Sequence, residues 1–131
     1  FGTGFKGTLD PEIITLFDKV RARKIPVVAV DIPSGINATS GDIASGTLQA
    51  DTTVTFCRRK VAHMIYPARG ACGRIVRADI PVSDETIAAL GTQLFENQPP
   101  LWLKNFPVPG VQDHKYSRGH VVVYGGAVRT G

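Results

Sequence analysis

Cysteine is scarce in this sequence: Cys57 and Cys72 are the only two in 131 residues. Two thiols cannot staple a disulfide scaffold, and their spacing fits no metal motif. They read as plain reduced thiols of a cytoplasmic protein. Long apolar runs are missing too. None approaches the roughly 20 residues that cross a bilayer, and no charged stretch leads into an apolar one as in a secretory signal. His63, His114 and His120 stand at no metal-ligand spacing, so each reads as structural or exposed. No internal repeat is visible. The first residue is Phe1 rather than Met, so the sequence reads as a piece of a longer polypeptide or a processed product.

What is present is an ordinary globular balance, 43% hydrophobic and 20% charged residues, which excludes disordered and fibrous classes. The net charge is +4. Much of the excess lies in one segment, where Arg58, Arg59, Lys60, Arg69, Arg74 and Arg77 occur with no acid until Asp79. Such a segment is either a solvated basic face or a surface that meets phosphates. No aromatic platform is interleaved with it, so nucleic acid is not an expected partner. No membrane partner is expected either.

The pattern of residues is that of an α/β chain. Asp10-Pro11 marks a helix start, because Asp caps free N–H groups and Pro at the first helical position gives up no hydrogen bond. Ile13, Leu16, Phe17 and Val20 then repeat at helical spacing, and Pro26 forbids continuation, which predicts a helix over about 11–23. Val27 to Val30 is an unbroken β-friendly run of the kind buried on both faces in parallel sheets. Asp31 ends it, and Pro33 and Gly35 turn the chain. The small polar stretch INATSGDIASGTLQA reads as a loop. Strands are expected at 52–56 and 73–80, and a helix at 83–90 capped by Ser83 or Asp84. From Asn97 the texture changes: NQPPLWLKNFPVPGVQD holds four of the nine prolines. Proline denies the backbone both helix and central strand, so 97–113 reads as a linker between one domain at 1–96 and the start of another at 114–131. There Val121 to Tyr124 reads as a single strand followed by Gly125-Gly126.

FGTGFKG, at 1–7, satisfies the glycine pattern G-x-G-x-x-G of dinucleotide-binding turns. In that turn the third glycine lies inside the helix. Here Asp10-Pro11 starts the helix after Gly7, so the segment is a loop of its own. It still offers backbone N–H groups and Lys6 to a phosphate. Asp31 is more informative. An acid at the carboxyl end of a buried parallel strand stands in the crevice where open α/β sheets bind ligands. There it can transfer protons, or it can simply cap the Pro33–Gly35 turn. Ser34 lacks the setting of a nucleophile, and its oxygen suits a hard cation better.

FGTGFKG, followed after one helix by PVVAVDIPSGINATSG and then by ADTTVTF and GRIVRADIP, resembles the second half of the NAD(P)H-hydrate epimerases of the YjeF N-terminal domain family. The tail HKYSRGHVVVYGG resembles the start of the ADP- or ATP-dependent NAD(P)H-hydrate dehydratase domain. The resemblance implies a three-layer α/β/α Rossmann-like sandwich, present in part, followed by the first strand of a ribokinase-like domain. It implies a metabolite-repair enzyme, an isomerase that interconverts the R and S forms of hydrated NADH or NADPH. In the full chain this would be coupled to a lyase that dehydrates the S form with ADP or ATP. It implies a cytoplasmic homodimer or higher homo-oligomer, with a potassium ion bound. Carried over by position, Gly2, Thr3, Gly4, Phe5, Lys6, Gly7 and Thr8 match the loop that binds the hydrated nucleotide. Asp31 matches a substrate-binding acid beside the reacting ring, expected here to be catalytic, and Ser34 a potassium ligand.

The resemblance has gaps. The family's other glycine-rich loop, with an Asn that binds potassium, and the acid just ahead of FGTG do not fall within this sequence. The run Arg58-Arg59-Lys60 departs from the family pattern and receives no role. The segment alone is expected to be inactive and unstable. Two other readings stay open: a dehydratase or carbohydrate-kinase-like protein known by its tail, and a non-enzymatic nucleotide-binding or interaction module on the same fold.

Overall fold

A computed structural model describes residues 2–117, 119–123 and 125–126. The chain divides into two compact units, Phe1–Leu94 and Phe95–Gly131. No helix among the described residues is long and apolar enough to cross a membrane.

The first unit opens with helix α1, Pro11–Ala22. The Asp10 side chain accepts from the Glu12 N–H at 2.8 Å, and the Pro at the helix start needs no partner. Strands β1 (Val28–Val30), β2 (Thr52–Phe56) and β3 (Arg74–Ala78) follow, with a 3-10 turn at Val61–His63 and the short helix α2 (Ala68–Ala71) between β2 and β3. Helix α3 spans Asp84–Ala89, its N–H groups capped by the Ser83 hydroxyl, which accepts from Thr86 at 3.2 Å. The strands form one parallel sheet in the order β1-β2-β3, with Val28 opposite Thr52 and Thr52 opposite Arg74. The expected α/β chain with a parallel sheet is therefore present, with strand and helix bounds within a few residues of the expectation.

Partners in a parallel register share a face. Ala29, Thr53 and Ile75 lie on one face, together with Thr55; Val28, Val30, Val54 and Val76 lie on the other. The first face is covered. Ile32, Ile36, Ala38, Ala62, Ala68 and Cys72 pack into a core that Ile75 joins. Thr53 survives burial there because its hydroxyl donates to the Cys72 carbonyl at 2.7 Å. The second face is bare: Val28 is 65% and Val30 70% exposed. This corrects the expectation that β1 is buried on both sides. The apolar run is there, but among the described residues β1 pairs with β2 alone, and its outer face opens onto a cleft rather than being packed.

The loop at 36–50 is ordered by its own polar residues. Asn37 Oδ1 accepts from the N–H groups of Thr39 and Ser40, both at 3.0 Å, and Ile36 bridges to Ile43 in antiparallel fashion. Gly35 has φ +98°, and a Cβ there would lie 2.1 Å from the Thr47 hydroxyl and 3.0 Å from Leu9 Cδ1. Only glycine fits both demands.

The second unit carries one helical turn, α4 (Pro99–Trp102), and a 3-10 turn at Leu103–Asn105. The proline-rich stretch is thus not free of helix: Pro99 and Pro100 occupy the first helical positions, where a missing N–H costs nothing. The strand expected at 121–124 is not formed over its described part. Val121, Val122 and Val123 are nearly fully exposed and outside any ladder, because a strand without a hydrogen-bonded neighbour is not stable. Tyr124 lies outside the described residues.

Candidate functional site

The carboxyl ends of β1 and β2 are adjacent because the strands are parallel and in register, and here the candidate residues meet. Asp31 follows β1 directly. Its N–H donates to the Val54 carbonyl at 2.7 Å, which extends the ladder by one residue. Its backbone then swings into the left-handed region, φ 66°, a conformation that Asp tolerates better than most residues. The swing turns the side chain toward the end of β2. Thr55 donates its hydroxyl proton to Asp31 Oδ1 at 2.7 Å, and Lys60 Nζ reaches the same oxygen at 2.5 Å. Lys60 Nζ also donates to Thr55 Oγ1 at 3.0 Å and to the Phe56 carbonyl at 3.3 Å. Both partners are largely withdrawn from water, with side chains 26% and 23% exposed.

Burial alone would raise the Asp31 pKa. The hydrogen bonds from Lys60 and Thr55, with the charge on Lys60, outweigh it and hold the carboxyl below its ordinary value. Asp31 is therefore a carboxylate at neutral pH. Its Oδ2 takes no hydrogen bond among the described residues, which leaves an acceptor free for a ligand.

Beneath the pair lies His63, 1% exposed. Its Nδ1 accepts from the Lys60 backbone N–H at 2.9 Å, so that nitrogen carries no proton. The proton sits on Nε2, which donates to the Asp31 backbone carbonyl at 2.9 Å. Burial lowers the His63 pKa, the nearby Lys60 charge acts in the same direction, and the ring is neutral.

The sequence offers Asp31 as a candidate but gives Lys60 and Thr55, which the structure brings to it, no role. His63, expected to be structural or exposed, is buried and bonded at both ring nitrogens. A signal was available: Thr55 lies at the end of the strand next to the one that ends at Asp31, and neighbouring parallel strand ends share one crevice. The basic run itself is no single patch. Arg58 pairs with Asp84 at 2.5 Å, Arg77 with Asp79 at 3.3 Å, and Arg69 donates to the Gly73 carbonyl at 2.9 Å.

The other expected residues lie around this centre. The loop at 2–8 is exposed except for half-buried Phe5, whose N–H donates to the Gly2 carbonyl at 3.2 Å. Cβ positions at Gly2, Gly4 and Gly7 meet nothing within 4 Å, so the backbone stands open. Leu9, buried against Gly35, moors the loop to the turn that follows Asp31. Ser34 faces a cleft of about 330 Å³ between α1 and β1, lined by Phe17, Val28, Val30, Pro33 and Leu48 among others, with Asp31 not among them. A potassium ion takes several oxygen ligands, and Ser34 supplies the one side-chain oxygen of that otherwise apolar lining.

Residues 1–62 match the family described as YjeF-related protein N-terminus. The chain is 37% identical over 126 residues to the bifunctional NAD(P)H-hydrate repair enzyme Nnr of Mycobacterium tuberculosis, a match that takes in 96% of this chain and 25% of that protein. It is 31% identical over 119 residues to the enzyme of the same name from Corynebacterium glutamicum, covering 75% of this chain and 20% of that one. With the NAD(P)H-hydrate epimerase of Legionella pneumophila it shares 34% identity over 85 residues, 65% of this chain and 32% of the relative. The chain thus spans about a fifth to a third of the length of these curated relatives. The matched residues 1–62 hold the glycine loop, Asp31 and Ser34, together with the Lys60 that pairs with Asp31.

Proposed function

We propose that this chain is part of an NAD(P)H-hydrate epimerase and that Asp31 is its proton-transferring residue. The observation that carries the proposal is the Asp31–Lys60 pair: a carboxylate at a strand end, held ionised by an ammonium at 2.5 Å, with one oxygen free. Epimerisation at the hydrated ring carbon requires its C–O bond to break and re-form on the other face. The leaving oxygen takes up one proton from solvent and departs as water, while the ring nitrogen's electron pair completes an iminium. Water then adds to the opposite face and gives one proton back. The proton count is unchanged, as an epimerisation demands. Asp31 Oδ2 is suited to accept the proton of the adding water, and a positioned carboxylate contributes about 10²–10⁴-fold in such steps. The open backbone of the loop at 2–8, with Lys6, suits the phosphates of the nucleotide.

Asp31→Asn keeps the shape and removes the base. In the full-length enzyme we expect R-to-S interconversion of hydrated NADH, followed by chromatography, to slow by at least about 10²-fold. A loss of only a few-fold would reduce Asp31 to a binding residue.

The tail supports a second activity in the same polypeptide. The Legionella epimerase matches 65% of the chain, whereas the bifunctional mycobacterial enzyme matches 96%. On this reading the residues after the proline-rich stretch open an ADP- or ATP-dependent dehydratase domain, and the protein works in the cytoplasm as a homo-oligomer. Ser34 would give one oxygen to a potassium ion whose other ligands come from elsewhere.

A further inference from the structure

We propose that His63 is a positioning residue for the Asp31–Lys60 pair, a buried brace whose two ring nitrogens fix the backbones of both partners at once. The proposal deepens the epimerase reading and rests on it for its kinetic test, though the geometry stands without it.

The pair is assembled from two segments that lie just beyond the ends of their strands. Asp31 sits in a left-handed turn after β1, and Lys60 lies four residues beyond the end of β2, after a further left-handed residue, Cys57, at φ 59°. Backbone in that region is easily displaced unless its surroundings over-determine it. His63 supplies that determination. Nε2–H donates to the Asp31 carbonyl and Nδ1 accepts the Lys60 N–H, each at 2.9 Å. The imidazole therefore sets the separation of the two backbones, and with it the reach of Nζ to Oδ1. The ring is itself held rigid. It is fully enclosed, and the His63 backbone N–H donates to the Lys60 carbonyl at 3.0 Å. Neither a leucine nor an alanine could form either bond. Only the neutral ring with its proton on Nε2 forms both. A shift of about 1 Å in a catalytic group can cost 10²-fold in rate, so the brace bears directly on turnover while leaving the glycine loop at 2–8 untouched.

The test compares His63→Leu, His63→Asn and His63→Gln in the full-length protein. Asn retains an acceptor where Nδ1 was, and Gln a donor where Nε2 was. Two readouts are taken. One is R-to-S interconversion of hydrated NADH, resolved into kcat and KM. The other is the Asp31 carboxyl titration followed by carbon NMR. In H63L we expect kcat to fall about ten-fold or more with KM within two-fold of wild type, and the Asp31 midpoint to move up toward the free carboxylate value. H63N and H63Q, with one bond each, should fall between wild type and H63L. An unchanged kcat in folded H63L overturns the proposal. So does an H63N and H63Q pair no better than H63L, since then filled space rather than the two bonds is at issue. Should H63L fail to fold, the two single-bond variants are judged against wild type by the same criteria. If wild type itself shows no interconversion, the epimerase reading falls. The Asp31 titration then decides the brace alone, and an unmoved midpoint overturns it.

Discussion

At the scale of single residues, the candidate site is a balance between desolvation and pairing. Removing Lys60 should show how much the pairing contributes. In Lys60→Met the burial of Asp31 remains while its counter-charge goes, so the Asp31 pKa should rise above its ordinary value of about 3.9. A carboxyl titration by NMR checks this, and a midpoint still below that value would mean that Thr55 suffices. The two shifted groups give pH effects of the same sign in different pH windows. Asp31 is depressed in the fold, so its stabilising contribution is present above about pH 4 and fades as pH falls through its folded pKa. His63 is also depressed, and the unfolded chain takes up its proton first. Stability is therefore full above about pH 6.5 and declines as pH falls below it. Melting temperature against pH should slope downward from about pH 6.5 in wild type and flatten over pH 5–6.5 in His63→Gln.

At the scale of elements, glycine and threonine decide what the hydrophobic pattern does not. Gly35→Ala would put a Cβ 2.1 Å from Thr47 Oγ1, which is already committed to the Ala44 carbonyl at 2.7 Å, at a backbone φ of +98°. Left-handed backbone alone costs about 1–2 kcal/mol. With the displaced hydroxyl added, the variant should lose at least ~2 kcal/mol, read as a lowered melting temperature. A melting point within a degree of wild type would show that the turn relaxes freely. Helix α1, strand β2 and helix α3 were legible in the sequence because their signals are local: a cap, a period and a proline. The segment from Lys60 to Cys72 was not. Its 3-10 turn and the short α2 have no period long enough to read, and they exist because Ala62, His63, Ala68 and Cys72 fill the space over the sheet.

At the scale of the whole molecule, the sheet of the first unit is covered on one face only. Val28 and Val30 stand bare on the edge strand, with Val76 partly bare beside them. An exposed apolar face with an open edge invites association. The 131-residue chain expressed alone should therefore bind a hydrophobic dye such as ANS and run as aggregates on size exclusion, without a cooperative thermal transition. Val28→Lys with Val30→Glu should reduce the dye signal several-fold. A sharp melting transition and a monomeric elution volume for the unaltered chain would overturn this expectation.

The sequence by itself determined the pieces whose causes lie within a few residues: the capped helix α1, the parallel strands with Asp31 at the end of one, and the open glycine loop. It also determined the family likeness, because motif and spacing are properties of the chain in one dimension. Only the tertiary structure decided which cation faces Asp31. Lys60 and His63 lie 29 and 32 positions away from it, and nothing in their local pattern distinguishes Lys60 from Arg58 or Arg59. What selects them is the parallel register of β1 and β2, which places both strand ends in one crevice. Burial there leaves each polar group only the partners it can reach.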